Sequence, residues 1–248
     1  MTAVLQVDGL HKAFGGVQAV EDVAFAVEAG ELLALIGPNG AGKSTCFNML
    51  NGQLRPDSGV VAFEGRNITR MSPRAIWRLG VGRTFQITAT FASLSVRENM
   101  QMALYSAAGK LRSITSRFGT ALRSEADALL GQVGMLDQAD RPCGVLAYGD
   151  LKRVELAIAL ANQPRLLLMD EPTAGMAPRE RVALMELAAR LARAQKIAVL
   201  FTEHDMDVVF SQADRIVVLD RGRVIAGGLP AEVRANPDVQ AVYLGAGH

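Results

Sequence analysis

The sequence predicts an α/β fold, a mostly parallel sheet covered by helices on both faces. Three observations carry this prediction. Short apolar runs, Leu32–Ile36 and 166–169, have the length and composition of strands buried on both faces. Stretches of helical character alternate with such runs at 43–51, 178–194 and 206–212. The first strand-to-helix junction is a glycine-rich turn, as in a βα connection.

The elements follow in order. Residues 4–7 alternate between apolar and polar, and 23–27 do so again before the turn at 28–30, so both read as strands. Leu32–Ile36 is a buried strand and 43–51 a helix. Residues 60–63 form a further strand closed by Gly65. From Ser72 to about Ala161 the pattern turns largely helical, at 73–79, 96–108, 122–133 and 151–161, with glycine-containing breaks. Strand 166–169, helix 178–194, strand 197–202 and helix 206–212 restore the alternation. The strands 216–219 and 223–226 close it as a pair. No internal repeat or low-complexity linker interrupts the chain.

Composition bounds the function. With 248 residues, half of them hydrophobic, the chain can bury a sizeable core. Its net charge of +1 lacks the broad basic footprint of a nucleic-acid binder. The opening MTAVLQVDGL has no basic start and no long apolar stretch, so a secretory signal is not expected. No run approaches the roughly 18–20 apolar residues that span a bilayer. Cys46 and Cys143 read as small buried apolar residues in a reducing, cytosolic setting.

The chemistry concentrates in two motifs. Gly37, Pro38, Asn39, Gly40, Ala41, Gly42, Lys43, Ser44 and Thr45 match the P-loop pattern, after a strand and opening a helix. Glycines let backbone N–H groups approach phosphate oxygens, and the helix N-terminus adds partial positive charge. Lys43 is expected to reach the β- and γ-phosphates, and the Ser44 hydroxyl to ligate Mg²⁺. Asp170 and Glu171 end the apolar run 166–169, where ligands sit beyond the carboxyl ends of strands. Asp170 is placed to hold Mg²⁺ directly or through water, and Glu171 to accept a proton from an attacking water or to orient it.

With these motifs the chain resembles the ATP-binding cassette family over nearly its whole length. Four smaller features fall in the family's order. Phe14 stands where the family puts an aromatic that stacks on adenine. Gln86, in Arg83-Thr-Phe-Gln86, matches the glutamine loop that senses Mg²⁺ and contacts the membrane partner. Leu146-Ala-Tyr-Gly-Asp150 aligns with the signature, usually Leu-Ser-Gly-Gly-Gln. His204, in Phe201-Thr-Glu-His204, matches the switch histidine that contacts the γ-phosphate. Each has a plainer alternative: Phe14 as core, Gln86 as an ordinary polar residue after a strand, and His204 as a structural histidine.

The resemblance implies a P-loop NTPase cassette with a mostly parallel core sheet, an antiparallel β part and a helical subdomain. It implies a single domain over 1–248, with 1–85 and 162–248 as nucleotide-binding core and 86–161 as the helical subdomain carrying the signature. ATP and Mg²⁺ are the implied cofactors, and Gln86 joins Ser44 and Asp170 at the metal. The signature, Ala147, Tyr148, Gly149 and Asp150, acts in trans on nucleotide held by the opposite subunit. It departs from the family norm. Ala147 has no hydroxyl, Tyr148 replaces glycine, and Asp150 replaces glutamine. Ala177 likewise stands where the family usually has aspartate.

Arg83-Thr-Phe-Gln-Ile-Thr, the Leu-Ala-Tyr-Gly signature, Asp170-Glu-Pro-Thr-Ala-Gly-Met-Ala-Pro178 and Val242-Tyr-Leu-Gly245 look like the branched-chain amino acid uptake type. That type implies transmembrane permease subunits, a second ATPase subunit that differs or is identical, an external solute-binding protein, and a peripheral place on the cytoplasmic face of the inner membrane. Two other readings stay open: a soluble cassette ATPase not coupled to transport, and a weakly hydrolytic nucleotide-binding subunit. Lys110, Arg112, Arg117 and Arg123, with no acid between Asn99 and Ser124, read either as a solvated loop or as a surface facing the membrane partner or anionic headgroups.

Overall fold

The computed structural model describes residues 3–84, 90–109 and 122–244. The antiparallel strands are β1 (Leu5–Phe14), β2 (Val17–Val27), β4 (Ser58–Phe63) and β5 (Arg66–Asn67), in the order β2-β1-β4-β5. The second sheet comprises β3 (Leu32–Ile36), β6 (Val81–Thr84), β7 (Leu166–Asp170), β8 (Ala198–Thr202), β9 (Arg215–Asp220) and β10 (Arg223–Gly228). Its order is β10-β9-β3-β8-β7-β6, and every pair except β9–β10 is parallel. The helices are α1 (Lys43–Leu50), α2 (Pro73–Arg78), α3 (Val96–Ala107), α4 (Arg123–Gln132), α5 (Tyr148–Leu160), α6 (Pro178–Gln195), α7 (Met206–Gln212), α8 (Pro230–Ala235) and α9 (Pro237–Leu244). Among the described residues, no helix is long and apolar enough to cross a membrane.

Strand sequences without alternation are explained by what covers them. Along β3, Leu32, Ala34 and Ile36 enter one core and Leu33 and Leu35 the other. In β7, Leu167 and Met169 face the first core, Leu166 and Leu168 the second; β8 divides the same way, with Val199 and Phe201 against Ala198 and Leu200. The first core is completed by apolar residues of α3 to α7. The second is completed by β1, β2, β4 and α1. A strand clamped between two cores needs apolar residues at every position.

Local signals start the helices. Ser95 and Glu98 form a reciprocal capping box at α3, where Glu98 Oε2 accepts from the Ser95 N–H at 2.8 Å. Asp205 caps α7 by accepting from the Asp207 and Val208 N–H groups.

The structure differs from the expected elements chiefly in four places, besides the two-residue strand β5. β1 and β2 run well beyond 4–7 and 23–27, because register shifts after Val7 and Leu10 break the alternation that marks a strand. β6 lies inside the stretch read as largely helical. Its sequence Val-Gly-Arg-Thr holds one large apolar residue, and pairing with β7 makes it a strand. α5 begins at Tyr148 rather than 151, with Ala147 as an extended N-cap. α8 and α9 follow the closing strand pair unanticipated, as each is too short for a periodic pattern.

Cys46 and Cys143 are both fully buried, as their composition suggested. Burial pushes the Cys46 thiol up to about 12 and raises that of Cys143. The folded chain should therefore resist N-ethylmaleimide at neutral pH, and both thiols should react after denaturation. Intact-mass measurement reads the result, and rapid labelling of the native chain would contradict this packing.

Candidate active site

β3 delivers the chain into the glycine-rich loop, and α1 leaves it at Lys43. Gly42, the N-cap of α1, lies in the left-handed region at φ 104°, and no side chain caps the helix. The first N–H groups of α1 are thus left for a ligand, in the geometry that favours anions. Neighbouring strands press on this loop. A Cβ at Gly42 would stand 2.4 Å from the Ala19 carbonyl oxygen, and one at Gly37 would stand 2.1 Å from that of Leu219. Only glycine fits at either position.

Lys43 is buried, and its ammonium donates to the carbonyls of Gly37 at 2.6 Å and Pro38 at 3.0 Å. Burial lowers its pKa, and the Glu171 and Asp170 carboxylates oppose that shift. Pro38 and Thr45 are half-buried, Ala41 is buried, and Asn39, Gly40 and Ser44 are exposed.

The parallel pairing of β7 and β8 sets Asp170 opposite Thr202. The Thr202 hydroxyl donates to Asp170 Oδ1 at 2.9 Å and accepts from the Glu171 N–H at 3.0 Å. Arg83 of β6 reaches Asp170 Oδ2 at 3.3 Å. Glu171 adopts φ 47°, a strained region for a non-glycine residue and one that recurs at functional sites. Its Oε1 lies 2.8 Å from His204 Nε2 just beyond β8. A carboxylate bonded to an imidazole at a sheet's carboxyl edge is equipped to take up or orient a proton. The oxygen donors Ser44 and Asp170 fit a hard cation that keeps waters and phosphates as further ligands.

Phe14 ends β1 with half its surface exposed, and the Lys12 ammonium sits 5.5 Å from its ring centroid. The ring is outside both cores and presents a face for stacking. Gln86 lies outside the described residues, as do Lys110, Arg112 and Arg117. Arg123 opens α4 and lies 3.9 Å from Asp127. In the signature, Ala147 and Tyr148 are exposed, Asp150 is half-buried and Gly149 is buried. The P-loop, Asp170, Glu171 and His204 thus gather at one sheet edge. The signature instead contacts the segment after β7, where the Tyr148 hydroxyl donates to the Ala174 carbonyl at 3.2 Å.

Sequence reasoning left several site residues unassigned. Thr202 and Glu203 directly precede His204, and Arg83 opens the Gln86 motif; adjacency was the available signal. Tyr243 lies in α9 with its hydroxyl buried near the Gly37 backbone but lacking a well-aligned partner, and burial pushes its pKa up to about 12. Glu203 is buried, and its Oε1 accepts from the Thr173 N–H at 2.9 Å and hydroxyl at 2.5 Å. It pins the turn after Glu171 to the strand that carries His204. Glu203→Ala would orphan both Thr173 donors and should destabilise the fold by about 2–4 kcal/mol in urea unfolding. Glu203→Gln should cost less. An unchanged midpoint for the alanine variant would rule out this bond as a structural anchor.

Comparison with known proteins follows the same lines. The family model described as ABC transporter matches residues 20–174, and that described as branched-chain amino acid ATP-binding cassette transporter matches residues 223–248. The chain is 39% identical to the high-affinity branched-chain amino acid transport ATP-binding protein LivG of Salmonella typhimurium, over 98% of each chain. It is 38% identical to BraF of Pseudomonas aeruginosa, a protein of the same description, again over 98% of each. A solved ATP-binding cassette of an ABC transporter, in its ADP conformation, superposes with a TM-score of 0.88 at 30% identity, covering 99% of this chain and all of that one. With this fold, and with that identity over 98% of its length, the chain belongs to the ABC transporter family as an ATP-binding, ATP-hydrolysing subunit.

Proposed function

We propose that this chain, as one cassette over 1–248, powers an importer for branched-chain amino acids or similar small organic solutes. The Glu171–His204 contact beside the Lys43 loop is the observation that carries the hydrolytic half. The extent of identity to LivG and BraF supports the solute class. In this reading the P-loop backbone from Gly37 to Thr45 cradles the phosphates. Lys43 exchanges its bonds to the Gly37 and Pro38 carbonyls for β- and γ-phosphate oxygens. Phe14 stacks on adenine. Ser44 and Asp170, with Gln86, would hold Mg²⁺, which when bound neutralises phosphate charge. Glu171 orients the attacking water and receives its proton, and His204 turns from Glu171 toward the γ-phosphate.

In this reading transmembrane permease subunits supply the path, as the transport role of LivG and BraF implies. A cleft of about 810 Å³ between α2, β6, α3 and α5, lined by Trp77, Arg83, Ser106 and Ile158, borders the strand that leads to Gln86 and would seat them. The chain then lies peripherally on the cytoplasmic face of the inner membrane. A second ATPase subunit closes against it, each signature completing the other's site, and an external binding protein delivers solute. Ala147 offers that partner no hydroxyl, so Gly149 and the open N–H groups of α5 must bind its phosphate. A cassette with so reduced a signature would hydrolyse slowly alone.

Glu171→Gln should keep ATP affinity and lose most turnover, whereas Lys43→Ala should weaken ATP binding itself. Titration with a fluorescent ATP analogue and steady-state phosphate release separate the two effects. Near-normal turnover of Glu171→Gln would remove Glu171 from the mechanism.

Losing one hydrogen bond to a charged oxygen costs about 1.5–3 kcal/mol, roughly ten- to a hundredfold in rate. Basal ATPase activity should accordingly be weak and rise strongly in vesicles containing permease and a second, different ATPase subunit. Full uptake with this chain as sole ATPase would refute the mixed pair. Activity indifferent to any permease would favour a soluble ATPase.

A further inference from the structure

The proposed signature raises a question of support. α5 starts without a side-chain cap, because Ala147 has no acceptor where the family usually has serine. Its open first turn must nevertheless be held in a defined place to meet a phosphate. The structure shows what holds it. The Tyr148 hydroxyl donates to the Ala174 carbonyl at 3.2 Å, and its ring lies over Gly175, where a Cβ would stand 3.4 Å from Cε1. Beneath the ring, 5.4 Å from its centroid, is the ammonium of Lys152. That ammonium is buried and paired with Glu155 at 2.9 Å, also buried. Next to Tyr148, Gly149 backs onto the Glu180 carboxylate, whose Oε2 also accepts from the Ala177 N–H at 3.3 Å.

The segment so gripped leads directly from Glu171. The Ala174 N–H donates to the Glu171 carbonyl at 3.1 Å, and the Met176 N–H to that of Thr173, also at 3.1 Å. Arg181 closes the far end, bonding the Met176 carbonyl at 2.7 Å and Asp205 at 2.9 Å. Residues 171 to 177 therefore form a hydrogen-bonded turn with His204 and Glu171 at one end and the signature tyrosine on its middle.

We propose that Tyr148 is a positioning residue that ties the signature to the turn after Glu171, so that nucleotide in this chain's own loop sets the placement of the signature it offers its partner. The proposal rests on the cassette reading given above. It also gives the departure from glycine at position 148 a use: the tyrosine replaces, from outside the helix, the fixation that a capping hydroxyl would provide from within.

Two variants test it, Tyr148→Phe and Tyr148→Ala. In the reconstituted complex, removing only the hydroxyl should lower kcat by roughly two- to tenfold, the equilibrium weight of one neutral hydrogen bond. Removing the ring as well should lower it further. KM for ATP should hold in both, and the unfolding midpoint should fall only slightly, since neither the phosphate loop nor either apolar core is touched. Hydrogen exchange on the isolated chain supplies a readout independent of transport. A non-hydrolysable ATP analogue should slow exchange at amides 147–151 in the wild type and have no such effect in Tyr148→Ala. Unaltered kcat in Tyr148→Ala, or equal protection of 147–151 with and without the ring, would overturn the proposal. So would a loss of ATP affinity in step with stability, the mark of a structural role. If no permease stimulates the chain, the transport reading fails while the exchange experiment still decides the role of Tyr148.

Discussion

Asp170 meets Thr202 because β7 and β8 pair in parallel, in register and buried on both faces. Slipping β7 by one residue against β8 would move Leu167 and Met169 out of one core and into the other, and slipping β8 would do the same to Val199 and Phe201. Two cores pull against any such shift, so the register is held by many apolar contacts and the polar edge inherits its precision. Each strand has to stop being apolar at its carboxyl end. Gly37, Asp170 and the residues around His204 lie where the cores give out. One constraint therefore places the phosphate loop, the carboxylates and the histidine together.

The site is held by polar bonds that cross between elements. The Thr202 hydroxyl uses one lone pair and its proton to connect Glu171 and Asp170. Glu203, buried under the next turn, fixes Thr173. Glu171 sits between these anchors with a positive φ, a conformation that costs on the order of 1 kcal/mol or more and persists only where its surroundings over-determine it. Lys43 is subject to opposing effects: burial disfavours its charge, and the two carboxylates favour it. A phosphate arriving in the loop would supply the anion that the buried ammonium is placed to meet.

The signature belongs to a different balance. Ala147 and Tyr148 are exposed, the hydroxyl is gone, and the contacts run to Ala174 and Gly175 in the chain's own turn and to Glu180 of α6 rather than to its own phosphate loop. In the proposed cassette pair this surface would act on the other subunit. Electrostatic help from open N–H groups does not depend on side-chain identity, so in that reading a signature altered at three positions would keep a phosphate-binding face.

The sequence by itself determined the glycine-rich loop between β3 and α1, because its signal lies in nine consecutive residues whose backbone freedom and helix junction are local properties. It determined the central strands as well, since burial on both faces demands unbroken apolar runs that no exposed segment needs. The edge strand β6 and the helices α8 and α9 were not legible, because pairing and packing rather than periodicity make them. The contacts that define the site were decided only by the tertiary structure. His204 and Glu171 are 33 residues apart, Thr202 and Asp170 are 32, Thr173 and Glu203 are 30, and Tyr148 and Ala174 are 26. No local spacing rule reaches across such separations. The first three bonds exist only after the register of β7 and β8 has brought the two strand ends side by side, and the fourth only after α5 has packed beside the turn that follows β7.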